Sequence, residues 1–139
     1  MKTYVLDASA LFAFLRSTPG AHKVSELLKS ARRGHARVAM SAVNYGEVYG
    51  LIVREFGSDR ALTTVNAVSQ LPIQMLDVTP QRAFGAAEIK VKYKLYYADS
   101  FAAALAIENR ATLVTSDSDF RKLGHNLPVV WLKGRSLRK

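Results

Sequence analysis

The sequence predicts an α/β protein, a three-layer α/β/α sandwich built on a mostly parallel sheet of about five strands. Three observations favour this fold. Five short apolar segments read as strands, amphipathic segments that read as helices separate them, and no repeat or linker divides the chain. Helices between strands act as crossovers, which make neighbouring strands parallel and cover both faces of the sheet. The 139 residues suit one domain, residues 1–139.

The first half of the chain alternates two strands with four helices. The strands are "TYVL" and "RVAM", and the helices are "ASALFAFLR", "AHKVSELLKSARRG", "AVNYGEVYGLIVREF" and "RALTTVNAVSQ". The second helix has apolar residues at i, i+3, i+4 and i+7 and ends at Gly34. Ser41 is a suitable N-cap for the third helix, and Ser58 or Asp59 for the fourth.

The second half alternates three strands with helices and turns. The strands are "IQMLDV", "ATLVT" and "PVVWL", and the helices begin at Thr79-Pro80 and at "ADSFAAALAIENR". Proline is favoured in the first helical turn, which supports the start at Pro80. The segment "SDSDFRKLG" predicts a turn followed by a short helix, and a basic tail follows the last strand.

The charge of the chain indicates a polyanionic partner. The chain carries 20 Lys and Arg against 11 Asp and Glu, a formal net charge of +9 with a pI near 10.0. Such a charge favours nucleic acid, although an acidic protein partner or simple solubility also accounts for it. The chain contains no Cys, which excludes disulfides and thiolate metal sites. Because no apolar run is long enough to span a membrane, we expect a cytoplasmic protein without membrane association.

Acidic residues follow the predicted strands at the edge where such sheets hold their ligands. Asp7 ends the first strand, Asp117 and Asp119 follow "ATLVT", Glu47 lies on the helix after "RVAM", and Asp99 starts a helix. The carboxyl ends of parallel strands meet at one edge, so these side chains converge. No Lys or Arg lies near Asp7 in sequence to neutralise it. Carboxylate clusters of this kind bind Mg²⁺ or Mn²⁺, so a metal ion is the expected partner of Asp7.

Each acid also has a structural explanation. Asp7 and Asp99 are possible helix N-caps, Asp117 and Asp119 possible turn formers, and Glu47 a possible ion-pair partner of Arg54 or Arg82. The ordered set of four acids favours the metal site over these separate roles. The three histidines, at positions 22, 35 and 125, share no common spacing and read as surface residues, which argues against a His-pair ribonuclease.

The ordered segments "VLDASAL", "SAVNYGE" and "YYADSFAAALAIENRATLVTSDSDF" resemble the PIN-domain ribonucleases, and specifically the toxins of VapBC toxin–antitoxin pairs. The resemblance covers essentially the whole chain. It assigns the acidic, metal-binding and catalytic cluster to Asp7, Glu47, Asp99 and Asp117, with Glu47 acting directly or through water. It makes Ser9 and Thr115 supporting hydroxyls. Asp119 is expected to orient the loop or to bind through water.

The resemblance implies a metal-dependent endoribonuclease toxin that hydrolyses RNA with a metal-activated water, using Mg²⁺ and also Mn²⁺. It further implies an RNA substrate, a cognate antitoxin and a homodimer. Two further functions stay compatible with the residues. One is a PIN-like nuclease of RNA processing or DNA repair without an antitoxin, and the other is a non-enzymatic, receiver-like regulator that binds Mg²⁺.

Apolar residues on several faces of the helices after Ser41 and Ser58 suggest either a protein interface or packing of these helices on each other. These residues are Tyr49, Ile52, Val53, Phe56, Leu62 and Val65. Several tyrosines are available to stack on RNA bases, but tyrosines at helical spacing are more commonly core residues. The identity of the RNA cannot be read from the sequence.

Overall fold

A five-stranded parallel sheet organises the part of the chain that the computed structural model describes, residues 1–134. Its strand order is β3-β2-β1-β4-β5, and each neighbouring pair is parallel. The strands are β1 (Lys2–Leu6), β2 (Ala36–Ser41), β3 (Gln74–Leu76), β4 (Thr112–Thr115) and β5 (Val129–Trp131). The predicted α/β/α sandwich is therefore confirmed, with a sheet that is parallel throughout rather than mostly so.

Six α-helices and one 3-10 segment connect the strands of the described chain. They are α1 (Ala8–Arg16), α2 (Ala21–Arg32), α3 (Ala42–Phe56), α4 (Ser58–Val68), α5 (Pro80–Tyr93), α6 (Tyr97–Glu108) and the 3-10 segment (Ser118–Asn126). No helix within residues 1–134 is long and apolar enough to cross a membrane. Most of the predicted basic tail, Arg135, Arg138 and Lys139, lies outside the described residues.

The capping residues expected from the sequence are found at α3 and α5 but not at α4. Ser41 caps α3 by accepting a hydrogen bond from the backbone N–H of Val43, and Thr79 caps α5. The prediction that Ser58 or Asp59 caps α4 is wrong, because the helix already begins at Ser58 and its N-cap is Gly57. Gly57 has φ +90°, a conformation open to glycine, and this lets α3 end and α4 begin without a linker.

The core fills both faces of the sheet because successive strand residues point to opposite sides. Val5 and Leu113 pack with α5, α6 and the 3-10 segment, whereas Leu6 and Val114 pack with α1 and α2. The buried side of α6 includes three fully buried alanines, at positions 102, 103 and 106. These alanines let α6 approach the sheet closely, which brings the first turn of α6 near the ends of the central strands.

Helices α3 and α4 pack on each other and on α1, so part of their apolar surface is core. Ile52, Ala61 and Val68 are buried in this cluster. Phe56 and Leu62 remain 51% and 55% exposed. Packing of the two helices on each other therefore explains the buried side. The exposed side, with Phe56 and Leu62, forms an apolar rim for which a protein interface stays a prediction.

The chain reverses its direction of travel across the sheet between β1 and β4. From β1 it proceeds through β2 to β3 at one edge, then returns to β4 and β5 on the other side of β1. Neighbouring strands at such a switch point send their connections to opposite sides, which opens a crevice at their carboxyl ends. Asp7 follows β1 and Asp117 lies two residues after β4, so both acids stand at this crevice.

We expect Leu6→Ala to lower the free energy of unfolding by about 2–5 kcal/mol, because it removes a fully buried side chain from the central strand. Urea denaturation followed by circular dichroism measures this change. Val78→Ala, in the loop before α5, is the control, since Val78 is 47% exposed and its truncation should change the free energy of unfolding by less than about 0.5 kcal/mol. Equal effects of the two substitutions would contradict the described core.

Candidate functional site

Five acidic side chains approach the carboxyl ends of the strands from different elements. Asp7 is the N-cap of α1, Asp117 is the N-cap of the 3-10 segment, and Asp119 lies in the first turn of that segment. Asp99 lies in the first turn of α6, and Glu47 lies on α3 after β2. Asp7, Asp99 and Asp117 are buried, whereas Glu47 and Asp119 are partly exposed. Buried carboxylates are rare unless they are paired or bind a metal.

The Asp7 carboxylate joins the two strands on either side of the switch point. One oxygen, Oδ1, accepts hydrogen bonds from the Ser9 hydroxyl at 2.7 Å and from the Ala10 backbone N–H at 2.9 Å. The other, Oδ2, accepts a short hydrogen bond from the Thr115 hydroxyl at the end of β4. The capping role considered for Asp7 is thus real. It coexists with a contact across the sheet that capping does not require.

The Ser9 and Thr115 hydroxyls, which donate to Asp7, also accept hydrogen bonds from the loop that follows β4. The Ser9 hydroxyl accepts a hydrogen bond from the Ser116 backbone N–H at 3.0 Å, and the Thr115 hydroxyl accepts one from the Asp117 backbone N–H at 2.9 Å. Each hydroxyl therefore donates to Asp7 and accepts from the loop after β4. The two hydroxyls fix the start of this loop, and with it the Asp117 side chain, relative to Asp7.

Burial raises the pKa of Asp7 from its ordinary value of 3.8 to about 7. Loss of hydration is the largest cause, and the nearby Asp99 carboxylate adds to it. The hydrogen bonds from Ser9, Thr115 and Ala10 act in the opposite direction, because they stabilise the ionised form. Repulsion between the clustered acids therefore contributes to the raised pKa, but burial is the larger cause.

Three carboxylates come close enough to share one cation. Oxygens of Asp99, Asp117 and Asp119 all lie within 4.8 Å of one another, and within residues 1–134 no other set of three His, Asp or Glu side chains meets this condition. Asp117 Oδ1 also accepts a hydrogen bond from the Asp119 backbone N–H at 2.9 Å, which holds the two aspartates on one turn. Asp7 and Glu47 lie outside this set of three.

This donor set fits a divalent hard cation. It consists of carboxylate oxygens alone, the ligands that Mg²⁺ and Mn²⁺ prefer, and it contains no sulfur or imidazole that would select zinc or copper. Three like charges this close repel one another unless a cation neutralises them. The partly exposed Asp119 leaves the set open to solvent on one side, which suits an ion that keeps several of its waters.

Asn44 connects Glu47 to α6, and the sequence motifs did not point to it. The buried Asn44 amide donates two hydrogen bonds of 3.0 Å, one to Glu47 Oε1 and one to the carbonyl of Ala98. Ala98 precedes Asp99, so Asn44 holds Glu47 and the start of α6 in a fixed relation. A signal was present in the sequence, because Asn44 precedes Val48 and Ile52 at i+4 and i+8 on the buried face of α3.

Arg82 and the three histidines take no part in the acidic cluster. Arg82, one expected ion-pair partner of Glu47, forms a salt bridge with Glu108 at 3.1 Å. The histidines are exposed, as predicted for surface residues. The capping role predicted for Asp99 is wrong, because the N-cap of α6 is Tyr96.

The family model described as "PIN domain" matches residues 4–126, so the chain belongs to the PIN domain family. Solved structures share its fold. They include VapBC2 from Rickettsia felis bound to a DNA fragment from its promoter (TM-score 0.73, 17% identity, covering 94% of this chain and 99% of that one). VapC20 of Mycobacterium tuberculosis, a toxin that cleaves the sarcin-ricin loop, gives a TM-score of 0.69 at 18% identity, covering 87% and 95%. A search of curated proteins finds no match.

We expect the metal-free protein to lose stability as the pH rises from about 4 to about 7. The unfolded chain releases the Asp7 proton near 3.8, whereas the folded protein retains it to about 7. The stabilisation that this bound proton provides is therefore complete below about pH 3.8 and is lost as the pH rises through about 7. The loss should amount to a few kcal/mol, since each unit of pKa difference is worth about 1.4 kcal/mol.

Urea denaturation in EDTA at several pH values measures this dependence, with Asp7→Asn as the matched variant. Asparagine does not titrate, and its amide can donate to the Thr115 oxygen that faces it. Between about pH 4 and 7, the free energy of unfolding of the wild-type protein should therefore fall relative to that of Asp7→Asn. A constant difference would contradict the raised pKa.

Proposed function

We propose that this protein is a metal-dependent endoribonuclease and the toxin of a type II toxin–antitoxin pair. The observation that carries the proposal is the set of three aspartates, Asp99, Asp117 and Asp119, whose oxygens lie within 4.8 Å at the switch point of a PIN-domain sheet. The reaction is hydrolysis of an RNA phosphodiester, which leaves a 5′-phosphate and a 3′-hydroxyl.

The acidic residues divide into ligands and supports. Asp99 and Asp117 are the buried members of the set and are proposed as primary ligands of Mg²⁺ or Mn²⁺, with Asp119 as a third, partly exposed donor. Asp7 adds a further carboxylate, held by Ser9 and Thr115. A divalent ion bound here would supply a lowered pKa for a coordinated water and a positive charge beside the phosphate.

Glu47 is proposed as the residue that positions the attacking water and accepts its proton. A general base must be held within hydrogen-bond reach of that proton. The Asn44 amide donates to Glu47 Oε1 at 3.0 Å and so fixes the orientation of the carboxylate on α3. Asn44 is thus a positioning residue, since it acts through Glu47.

An RNA substrate is supported by the charge of the chain. With a net charge of +9, the protein attracts a polyanion despite its local cluster of acids. Contacts to phosphates make binding steeply dependent on salt concentration but carry no base information. The VapC20 structure is that of a toxin that cleaves the sarcin-ricin loop, and the shared fold supports the same class of substrate here.

A cognate antitoxin is supported by the apolar rim of α3 and α4. A groove of about 390 Å³ lies between α1, α3 and α4 and is lined by apolar residues that include Phe12, Ile52 and Phe56. Several structures of the same fold are VapBC or toxin–antitoxin complexes. A homodimer is supported by Phe84 and Val91, two exposed apolar residues seven positions apart on α5.

Metal binding is expected to raise the melting temperature. An ion that binds only the folded state stabilises it by about 2.7 kcal/mol at a concentration one hundred times its dissociation constant. Millimolar Mn²⁺ should therefore raise the melting temperature of the wild-type protein by several degrees, and Asp99→Asn and Asp117→Asn should abolish this shift. Asp59→Asn, at an exposed acid on α4, is the matched control and should keep it. An unchanged wild-type melting curve would show that the cluster is not a metal site.

Cleavage of one defined RNA at saturating Mg²⁺ tests the catalytic assignments. Four substitutions should each lower the cleavage rate by more than about 100-fold: Asp7→Asn, Glu47→Gln, Asp99→Asn and Asp117→Asn. Loss of a residue that only supports a metal ligand costs up to about 100-fold, and loss of a ligand or of the base should cost more. Asp119→Asn should retain partial activity because Asp119 is the exposed member of the set. Melting curves should show that all five variants fold.

A folded Asp7→Asn protein that cleaves at the wild-type rate would contradict the mechanism. The toxin role has its own readout, since expression of the wild-type protein alone should arrest growth and coexpression of the antitoxin should relieve the arrest. RNA cleavage without growth arrest would favour a PIN nuclease of RNA processing or DNA repair.

A further inference from the structure

The chain's single tryptophan, at the end of β5, forms a cation–π pair with an arginine of the 3-10 segment. Trp131 is the last residue of this strand and is 38% exposed. The Arg121 guanidinium carbon lies 4.4 Å from the centre of the Trp131 rings, the shortest such distance among the cation–π pairs of residues 1–134. Within these residues Arg121 forms no salt bridge, so no carboxylate neutralises its charge.

The sheet register places this pair at the same edge as the acids and on the same face as Thr115. Trp131 is aligned with Thr115, the residue that donates to Asp7, and the Leu132 N–H donates to the Thr115 carbonyl at 2.8 Å. Aligned residues of adjacent parallel strands point to the same side of the sheet. Arg121 follows the proposed ligand Asp119 by two residues. The Arg121–Trp131 pair therefore lies beside β5, the strand next to the one that carries Thr115 and its link to Asp7.

A cavity lies beside the pair, between the 3-10 segment and β5. Its volume is about 230 Å³, and it is lined by Phe120, Arg121, Gly124, Leu127, Val129 and Trp131. Most of these side chains are apolar, and Arg121 supplies the charge. Gly124 has φ +56° and ψ −133°, a conformation that other residues avoid. A Cβ at this position would meet no atom within 4 Å, so Gly124 is required by its backbone conformation rather than by close packing.

An indole, a guanidinium plane and an apolar cavity together suit a planar, uncharged ring that is attached to an anionic chain. Bases of single-stranded RNA stack on aromatic side chains and on arginine planes, and the arginine charge also attracts the neighbouring phosphate. We propose that the Arg121–Trp131 cavity binds a nucleobase of the RNA that flanks the cleaved phosphate. This proposal rests on the proposed function, because it assigns a substrate subsite to the same reaction.

Fluorescence of the only tryptophan tests base binding without any need for cleavage. Wild-type protein in EDTA is titrated with a short single-stranded RNA, and we expect saturable quenching of the Trp131 emission. Stacking on one base commonly changes affinity by roughly 5- to 150-fold on removal of the aromatic ring. Anisotropy of a labelled RNA should show such a loss for Trp131→Leu and a smaller loss for Trp131→Phe, which keeps an aromatic face.

Matched substitutions at a second cation–π pair supply the control. Lys2 lies over the ring of Tyr4 at 5.7 Å, and both residues belong to β1. Tyr4→Leu and Lys2→Gln should leave the RNA affinity within about twofold of wild type, whereas Arg121→Gln should weaken it. Melting curves of all variants identify any loss caused by unfolding, and retained binding by Trp131→Phe separates stacking from the packing of the β5 edge.

Abasic scanning locates the base. A single abasic nucleotide moved along the RNA should weaken wild-type binding at one position beside the cleavage site and should have no further effect in Trp131→Leu, as expected for two groups that contact each other. Unchanged affinity and cleavage in Trp131→Leu would overturn the proposal while leaving the nuclease intact. Loss of antitoxin binding with unchanged RNA affinity would overturn it in favour of a protein contact. Failure of the proposed function is distinct, since the wild-type protein would then cleave no RNA.

Discussion

The hydrogen-bonded link between Asp7 and Thr115 is the constraint on which the site depends. The topology separates β1 and β4 by more than one hundred residues, and parallel pairing alone aligns their backbones without fixing the loops beyond them. Asp7 closes this gap by accepting from Ser9 within its own helix and from Thr115 across the sheet. Because both hydroxyls also accept backbone N–H groups of the next loop, the position of Asp117 follows from that of Asp7.

This arrangement places function and stability in opposition. A buried carboxylate with a pKa near 7 reduces the stability of the metal-free protein, and repulsion from the nearby Asp99 carboxylate adds to this cost. A fold selected for stability alone would hold neutral side chains at this edge. The surrounding core offsets the cost, because α6 packs closely on the sheet through its alanines and brings Asp99 into the cluster as a rigid part of the domain.

The charge distribution gives a consistent picture of the proposed substrate. Five of the eleven acids lie at one edge of the sheet in a strongly basic chain. A polyanion would therefore be attracted to the molecule as a whole, and a cation would be needed only at the acidic cluster. The Arg121–Trp131 cavity extends the same edge by one strand with a surface suited to bases rather than phosphates. Cleavage chemistry and base recognition would thus share one scaffold and one element, since the 3-10 segment carries both Asp119 and Arg121.

Local patterns in the sequence were enough to establish the order of elements, because strand and helix periodicities and the caps at Ser41 and Thr79 are local properties. They also indicated that Asp7, Asp117 and Asp119 follow strands and that Glu47 and Asp99 lie on neighbouring helices, and the family resemblance selected Asp7, Glu47, Asp99 and Asp117 from these. They did not indicate Asn44, or the pairing of Arg121 with Trp131, because these depend on how α3 meets α6 and how the 3-10 segment folds over β5. The close approach of Asp119 to Asp99 and Asp117 likewise follows from tertiary structure: distances between side chains on different elements are set by packing, which no local pattern encodes.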